Sequence, residues 1–98
     1  MSVKWTKEIL GTEKPIIAMC HFMALPGDPG FDKAGGMDAV ICRAKKEMLA
    51  LQEGGVDAIM FSNEFSLPYL TDVKTETVAA MARIIGELKA DLKIPFGV

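Results

Sequence analysis

A chain of 98 residues that is 50% apolar and 24% charged has the composition of one ordinary globular domain. Its 11 basic and 13 acidic side chains are spread along the sequence for a formal net charge of -2, which leaves no electrostatic footprint for nucleic acid or an anionic membrane. The longest apolar runs, Ile16 to Cys20 and Val78 to Ala82, fall far below the roughly 18 residues of a membrane span, and the charged N-terminus lacks a signal-peptide core, so a cytoplasmic protein with no transmembrane segment is expected.

Residues 1–14 form an N-terminal segment ahead of the first strand. The run from Pro15 to His21 reads as that strand, buried on both faces, with a proline at the first position where its missing N–H does least harm. Phe22 to Gly36 then reads as a long loop, because it holds Pro26, Gly27, Pro29, Gly30, Gly35 and Gly36; loops of this length often carry function. Met37, Val40, Ile41, Ala44, Met48 and Leu51 recur at steps of three and four, the stripe of a helix over 37–53. Gly54-Gly55 should stop it, since glycine enters the left-handed conformation of a helix cap without a steric penalty.

Val56 to Ser62 is again nearly continuous apolar sequence of strand length, with Asp57 at its entrance. A second loop, Asn63 to Lys74, leads to a helix over 75–92 whose stripe is Val78, Met81, Ala82, Ile85, Leu88 and Leu92. Gly86 is a misfit inside it, worth about 1 kcal/mol against alanine unless close packing on a strand offsets the loss. Ile94 to Val98 begins a third strand.

Strands entered near residues 15, 56 and 94, with one helix in each interval, make a repeated βα unit. Strands of this kind joined by helical crossovers imply a parallel sheet, either doubly wound or a barrel. No GxGxxG or GxxxxGK[ST] follows the first strand, so the nucleotide-binding forms of the doubly wound sheet gain no support. The barrel reading gains by default; eight such units need roughly 250 to 300 residues, so a barrel would not close within this chain. Cys20 and Cys42 lie in different elements with no metal-ligand spacing, so both read as reduced structural thiols and no metal site is expected. Met37, Met48 and Met81 fall on helix stripes and read as core.

Three segments together resemble the BtpA family, also known as BtpA/SgcQ. They are Lys14 to His21 followed by Ala24-Leu25-Pro26-Gly27-Asp28-Pro29, then Glu53-Gly54-Gly55-Val56-Asp57-Ala58, and Ser62-Asn63-Glu64-Phe65. Thr77 to Met81 and Ile94 to Val98 continue the similarity. The resemblance implies a full barrel of the ribulose-phosphate-binding type in the complete protein, and for this chain an α/β fold, the N-terminal βαβαβ portion of a TIM (β/α)8 barrel with parallel strands, not closed. It also implies one of two roles: a photosystem I biogenesis factor, or an enzyme related to products of sugar-utilisation gene clusters.

In such a barrel the reactive groups sit where strands end. His21 is the lone histidine, titrates near neutrality when unperturbed, and is a candidate acid, base or ligand; its bland alternative is a hydrogen bond to a neighbouring loop. Glu64 is a candidate catalytic carboxylate, as general base or metal ligand, and Asn63 a candidate substrate-binding amide that orients a substrate oxygen, the bland alternative being that both tie down the second loop. Asp28 and Asp32 are weaker candidates because aspartate is a standard turn residue, and Asp57 lies at the opposite, structural end. The residues name no cofactor. The complete protein is expected to act on a small, phosphorylated, carbohydrate-like substrate, and the 98-residue chain by itself is expected to be inactive and to self-associate through its uncovered sheet face.

Overall fold

The two long apolar runs become strands of five residues each, the third strand keeps two residues, and the two amphipathic stretches become helices. The computed structural model describes residues 4–98. In chain order the elements are α1 (Lys4–Leu10), β1 (Ile17–His21), α2 (Gly36–Glu53), β2 (Ala58–Ser62), α3 (Thr75–Leu88) with a 3-10 turn at Lys89–Asp91, and β3 (Phe96–Gly97). The three strands form one open parallel sheet in the order β1-β2-β3 with helices between them, an α/β arrangement of βαβαβ type.

The register pairs Ile17 with Ala58, Met19 with Met60 and His21 with Ser62. Side chains alternate along a strand, so these six residues share one face of the sheet and Ala18, Cys20, Ile59 and Phe61 share the other. The second face meets the helices. There Cys20, Phe22, Ile59 and Phe61 pack with Val40, Ala44 and Met48 of α2 and with Ala80, Ile84 and Leu88 of α3 in one core. The rings of Phe22 and Phe61 stack at 5.6 Å, and Phe61 meets the edge of Phe96 at 5.8 Å.

The expectation that the first strand is buried on both faces is corrected. Ile17 and Met19 are each 47% exposed on the face that α2 and α3 do not cover. Near the strand entrances, Trp5, Ile9 and Leu10 of α1 border an apolar hollow of about 310 Å³ with Ile17, Ala58 and Met60. Helix α1 lies in the segment for which no element was predicted; seven residues give periodicity too few turns to register.

Gly54-Gly55 ends α2 as expected. Gly55 has φ of 89°, its N–H donates to the Gln52 carbonyl at 3.0 Å, and the Val56 N–H reaches the Leu51 carbonyl at 3.4 Å. These are the two bonds of a Schellman cap. At the other end of α2, Asp32 Oδ1 accepts from the N–H groups of Ala34 and Gly35 at 3.1 Å. A Cβ on Gly35 would lie 2.5 Å from Asp32 Oδ2 and 2.8 Å from Ala39 Cβ, so only glycine fits this turn.

Helix α3 is shorter than the predicted 75–92, and its predicted stripe holds in part: Leu88 is buried in the core and Met81, Ile85 and Leu92 pack against it. Its buried residues are Thr77, Ala80, Ile84 and Leu88, whereas Val78 is 57% exposed and Ala82 is also exposed. Apolar residues nearly surround this helix, so two stripes compete and the one that meets the sheet prevails. A methyl group added at Gly86 would meet no atom within 4 Å, so the close strand packing offered for it is absent among the described residues.

Strand entrances are held by side chains. Asp57 Oδ2 accepts from the Ile16 N–H at 2.8 Å, joining the starts of β1 and β2 as a structural aspartate should. Gln52 donates through Nε2 to the Asp91 carbonyl at 3.0 Å and accepts from the Lys93 N–H at 2.6 Å, fixing the turn that leads into β3.

Candidate functional site

Parallel strands bring their C-terminal ends to one edge of the sheet, and the loops after β1 and β2 meet there. His21 ends β1 and Ser62 ends β2, in register; Nδ1 of the imidazole lies 3.0 Å from the serine Oγ. The ring of Phe65 stands edge-on to His21 at 6.3 Å. One nitrogen of His21 is thereby occupied and its plane is braced, which leaves Nε2 as the nitrogen able to meet a ligand or exchange a proton.

Asn63 follows directly and half-buried, and its carbonyl accepts from the Ser66 N–H at 2.9 Å in a tight turn. Its side chain lines a cavity of about 90 Å³ between the two loops, together with Asp28, Ser66, Leu70, Val73 and Thr77. Asp28 latches the loops: its Oδ2 accepts from the Leu25 N–H at 2.7 Å and from Ser66 Oγ at 2.5 Å.

Glu64 stands elsewhere. It is exposed, and Tyr69 OH donates to its carbonyl at 2.9 Å and to its Oε1 at 3.0 Å. That bond, more than any burial, holds the Tyr69 phenol above its ordinary range. Among the described residues no hydrogen bond joins His21 to Asn63 or Glu64. The three sequence candidates thus occupy one rim in three settings: a braced imidazole, a cavity amide and an exposed carboxylate. Asp32 is spent on the turn before α2.

Sequence reasoning passed over Ser62, Ser66 and Thr77. Ser62 had a signal, since it ends the second strand as His21 ends the first; pairing the two required the register. Ser66 and Thr77 come to Asp28 from 38 and 49 positions along the chain, which no local pattern encodes. Among the described residues, no three His, Cys, Asp or Glu side chains gather closely enough to hold a metal ion. No helix of the described residues is long and apolar enough to cross a membrane.

Known proteins share this sequence across its length. SgcQ of Escherichia coli K12, a putative sgc region protein, is 66% identical over 96 residues, covering 98% of this chain and 36% of SgcQ. An uncharacterized protein of Archaeoglobus fulgidus is 41% identical over 86 residues, covering 88% of this chain and 34% of that protein. The photosystem I biogenesis protein BtpA of Synechocystis is 35% identical over 88 residues, covering 89% of this chain and 30% of BtpA. The chain therefore spans about a third of the length of these relatives. No solved structure matches it. With the model of the BtpA family matched over residues 12–98, across both loops and all three strands, the chain belongs to the BtpA family.

Proposed function

We propose that this chain is the opening part of a (β/α)8-barrel enzyme that acts on a small, phosphorylated, carbohydrate-like substrate. His21 serves as the acid or base, Asn63 orients a substrate oxygen and Glu64 supplies a second carboxylate at the rim. The observation that carries the reading is the in-register pair of His21 and Ser62 at the strand ends, where a parallel α/β sheet presents its reactive groups. Phosphate-binding loops in such barrels commonly follow the seventh and eighth strands, so the phosphate falls to later parts of the protein. The protein is cytoplasmic in this reading, and the isolated chain completes its core by self-association.

The greater identity to SgcQ than to the Synechocystis protein weighs toward the enzyme and away from a photosystem role. The second reading, a partner-binding assembly factor, draws on the exposed apolar residues Phe65, Leu67, Tyr69 and Leu70 in the loop after β2. Thermal stability of the protein at the length of its relatives, measured against a panel of sugar phosphates, separates the two. Stabilisation by one sugar phosphate that disappears in His21→Ala supports the enzyme. A protein indifferent to every sugar phosphate that copurifies with a defined partner supports the assembly factor.

A further inference from the structure

Thr77 sits in the first turn of α3, is only 5% exposed, and lines the cavity between the two loops. Among the described residues its hydroxyl makes no hydrogen bond. No fully buried side-chain oxygen or nitrogen of the described residues lacks a partner, so the Thr77 hydroxyl oxygen itself stays open to solvent although the residue around it is buried. A hydroxyl left unpaired and open on a cavity wall can bond a polar group that enters the cavity.

Of the other polar groups on the wall, Ser66 and Tyr69 already donate their hydroxyl protons to Asp28 and Glu64, while Asp28 and Asn63 keep spare capacity. Both hydrogen bonds to the Asp28 carboxylate fall on Oδ2, which leaves Oδ1 to accept another. The Asn63 amide, a donor and an acceptor, is bonded to no side chain or backbone group of the described residues. Leu70 and Val73 add an apolar wall. Among the described residues no lysine, arginine or histidine lines the cavity, so an anion there would face the Asp28 carboxylate without a compensating charge. Its volume of about 90 Å³ is that of roughly three waters, or of one short polyol chain.

We infer that this cavity binds a neutral, hydroxyl-bearing group, the polyol end of a small carbohydrate-like molecule. Asp28 accepts from one hydroxyl, Thr77 and Asn63 bond the next, and Leu70 and Val73 cover the carbon chain. The inference deepens the enzyme reading and rests on it for the identity of the substrate, while the cavity itself uses neither His21 nor Glu64. It also separates the ends of the substrate, since a phosphate is excluded from this pocket.

The test is an amide-resolved NMR titration of the 98-residue chain with glycerol and, separately, with inorganic phosphate. Glycerol should shift the amides of Asn63, Ser66 and Thr77 saturably, and phosphate should leave them in place. Thr77→Val keeps the side-chain shape and should weaken glycerol binding by about fivefold, the worth of one neutral hydrogen bond, while Thr77→Ser retains it. If Thr77→Val loses its dispersed spectrum, Asn63→Ala, at a half-buried loop position, takes its place with the same expected weakening. Non-saturable shifts, equal binding in the variants, or a response to phosphate would each overturn the proposal. Glycerol binding that survives in a protein whose stability ignores every sugar phosphate would sink the enzyme reading and leave the polyol site standing.

Discussion

The imidazole Nδ1 of His21 and the Oγ of Ser62 lie 3.0 Å apart across paired positions of two adjacent strands. A serine hydroxyl can donate to Nδ1 or accept from it, so the contact holds the direction of the imidazole ring and is compatible with either tautomer. Ser62→Ala should lower stability by only about 1 kcal/mol, the net worth of one neutral hydrogen bond. Its larger effect should be on the ring: the His21 side-chain proton shifts should move toward those of a freely rotating imidazole, and Ser62→Thr should restore the original pattern. Unchanged His21 ring shifts in Ser62→Ala would show that Ser62 does not hold the imidazole.

The outline of the sheet was legible because it rests on local chemistry. Apolar runs bounded by proline and glycine marked the three strands, and Gly54-Gly55 marked the end of α2 through the one conformation glycine reaches freely. What escaped depended on partners distant in sequence. On α3 the predicted Met81, Ile85 and Leu88 do reach the core, but Val78 and Ala82 are exposed and Ala80 and Ile84 take the buried places, because Val78, Ala79, Ala80, Met81, Ala82, Ile84 and Ile85 offer apolar groups nearly all round and only the sheet decides among them. At the rim, His21, Asn63 and Glu64 could be placed at strand ends, but not their partners. Ser62, Ser66 and Tyr69 engage them through the strand register and the fold of the second loop.

Gly86 lies in α3 with open space around it. Glycine in a helix interior carries a backbone-entropy loss, and here no neighbour requires the missing side chain. Gly86→Ala should therefore stabilise the chain by about 0.5 to 1 kcal/mol, read as a higher urea midpoint at unchanged slope. Destabilisation instead would mean that a second copy or another part of a longer protein packs on this flank of α3.

Cys20 is buried beneath α2, and its thiol is pushed up to about 11, first by burial and then by the Glu47 carboxylate. Cys42 is exposed on the same helix. At pH 8 iodoacetamide should modify Cys42 promptly and Cys20 only at the rate at which the chain opens, as followed by intact mass. Because the folded thiol titrates above its unfolded value of 9.0, its contribution to stability is whole below pH 9 and is lost as pH rises toward 11. Cys20→Ala should flatten that alkaline decline, while still destabilising at neutral pH through the small cavity it leaves. Equal alkylation of both thiols in the folded chain would show that α2 does not seal the sheet.

Ile17 and Met19 lie half-exposed on the sheet face opposite α2 and α3, beside Met60 and the apolar hollow under α1. β3 adds only Phe96–Gly97 and leaves an open edge. An apolar face of this kind next to an unpaired strand edge favours association, because burying it releases water and satisfies free backbone groups. The isolated chain should therefore show concentration-dependent assembly by light scattering. Met19→Lys places a charge at the middle of the face and should shift the chain toward monomer with its circular dichroism intact. Val78→Lys, on the exposed flank of α3, should leave the assembly in place and so distinguishes the sheet face from the helical layer. In a protein of the relatives' length the same Met19→Lys has the opposite diagnostic value. If further strands close over this face as a barrel requires, the lysine becomes a buried unpaired charge and should cost several kcal/mol of stability. If the face stays open to solvent, the substitution should change stability by less than about 1 kcal/mol, and the barrel would have to be abandoned.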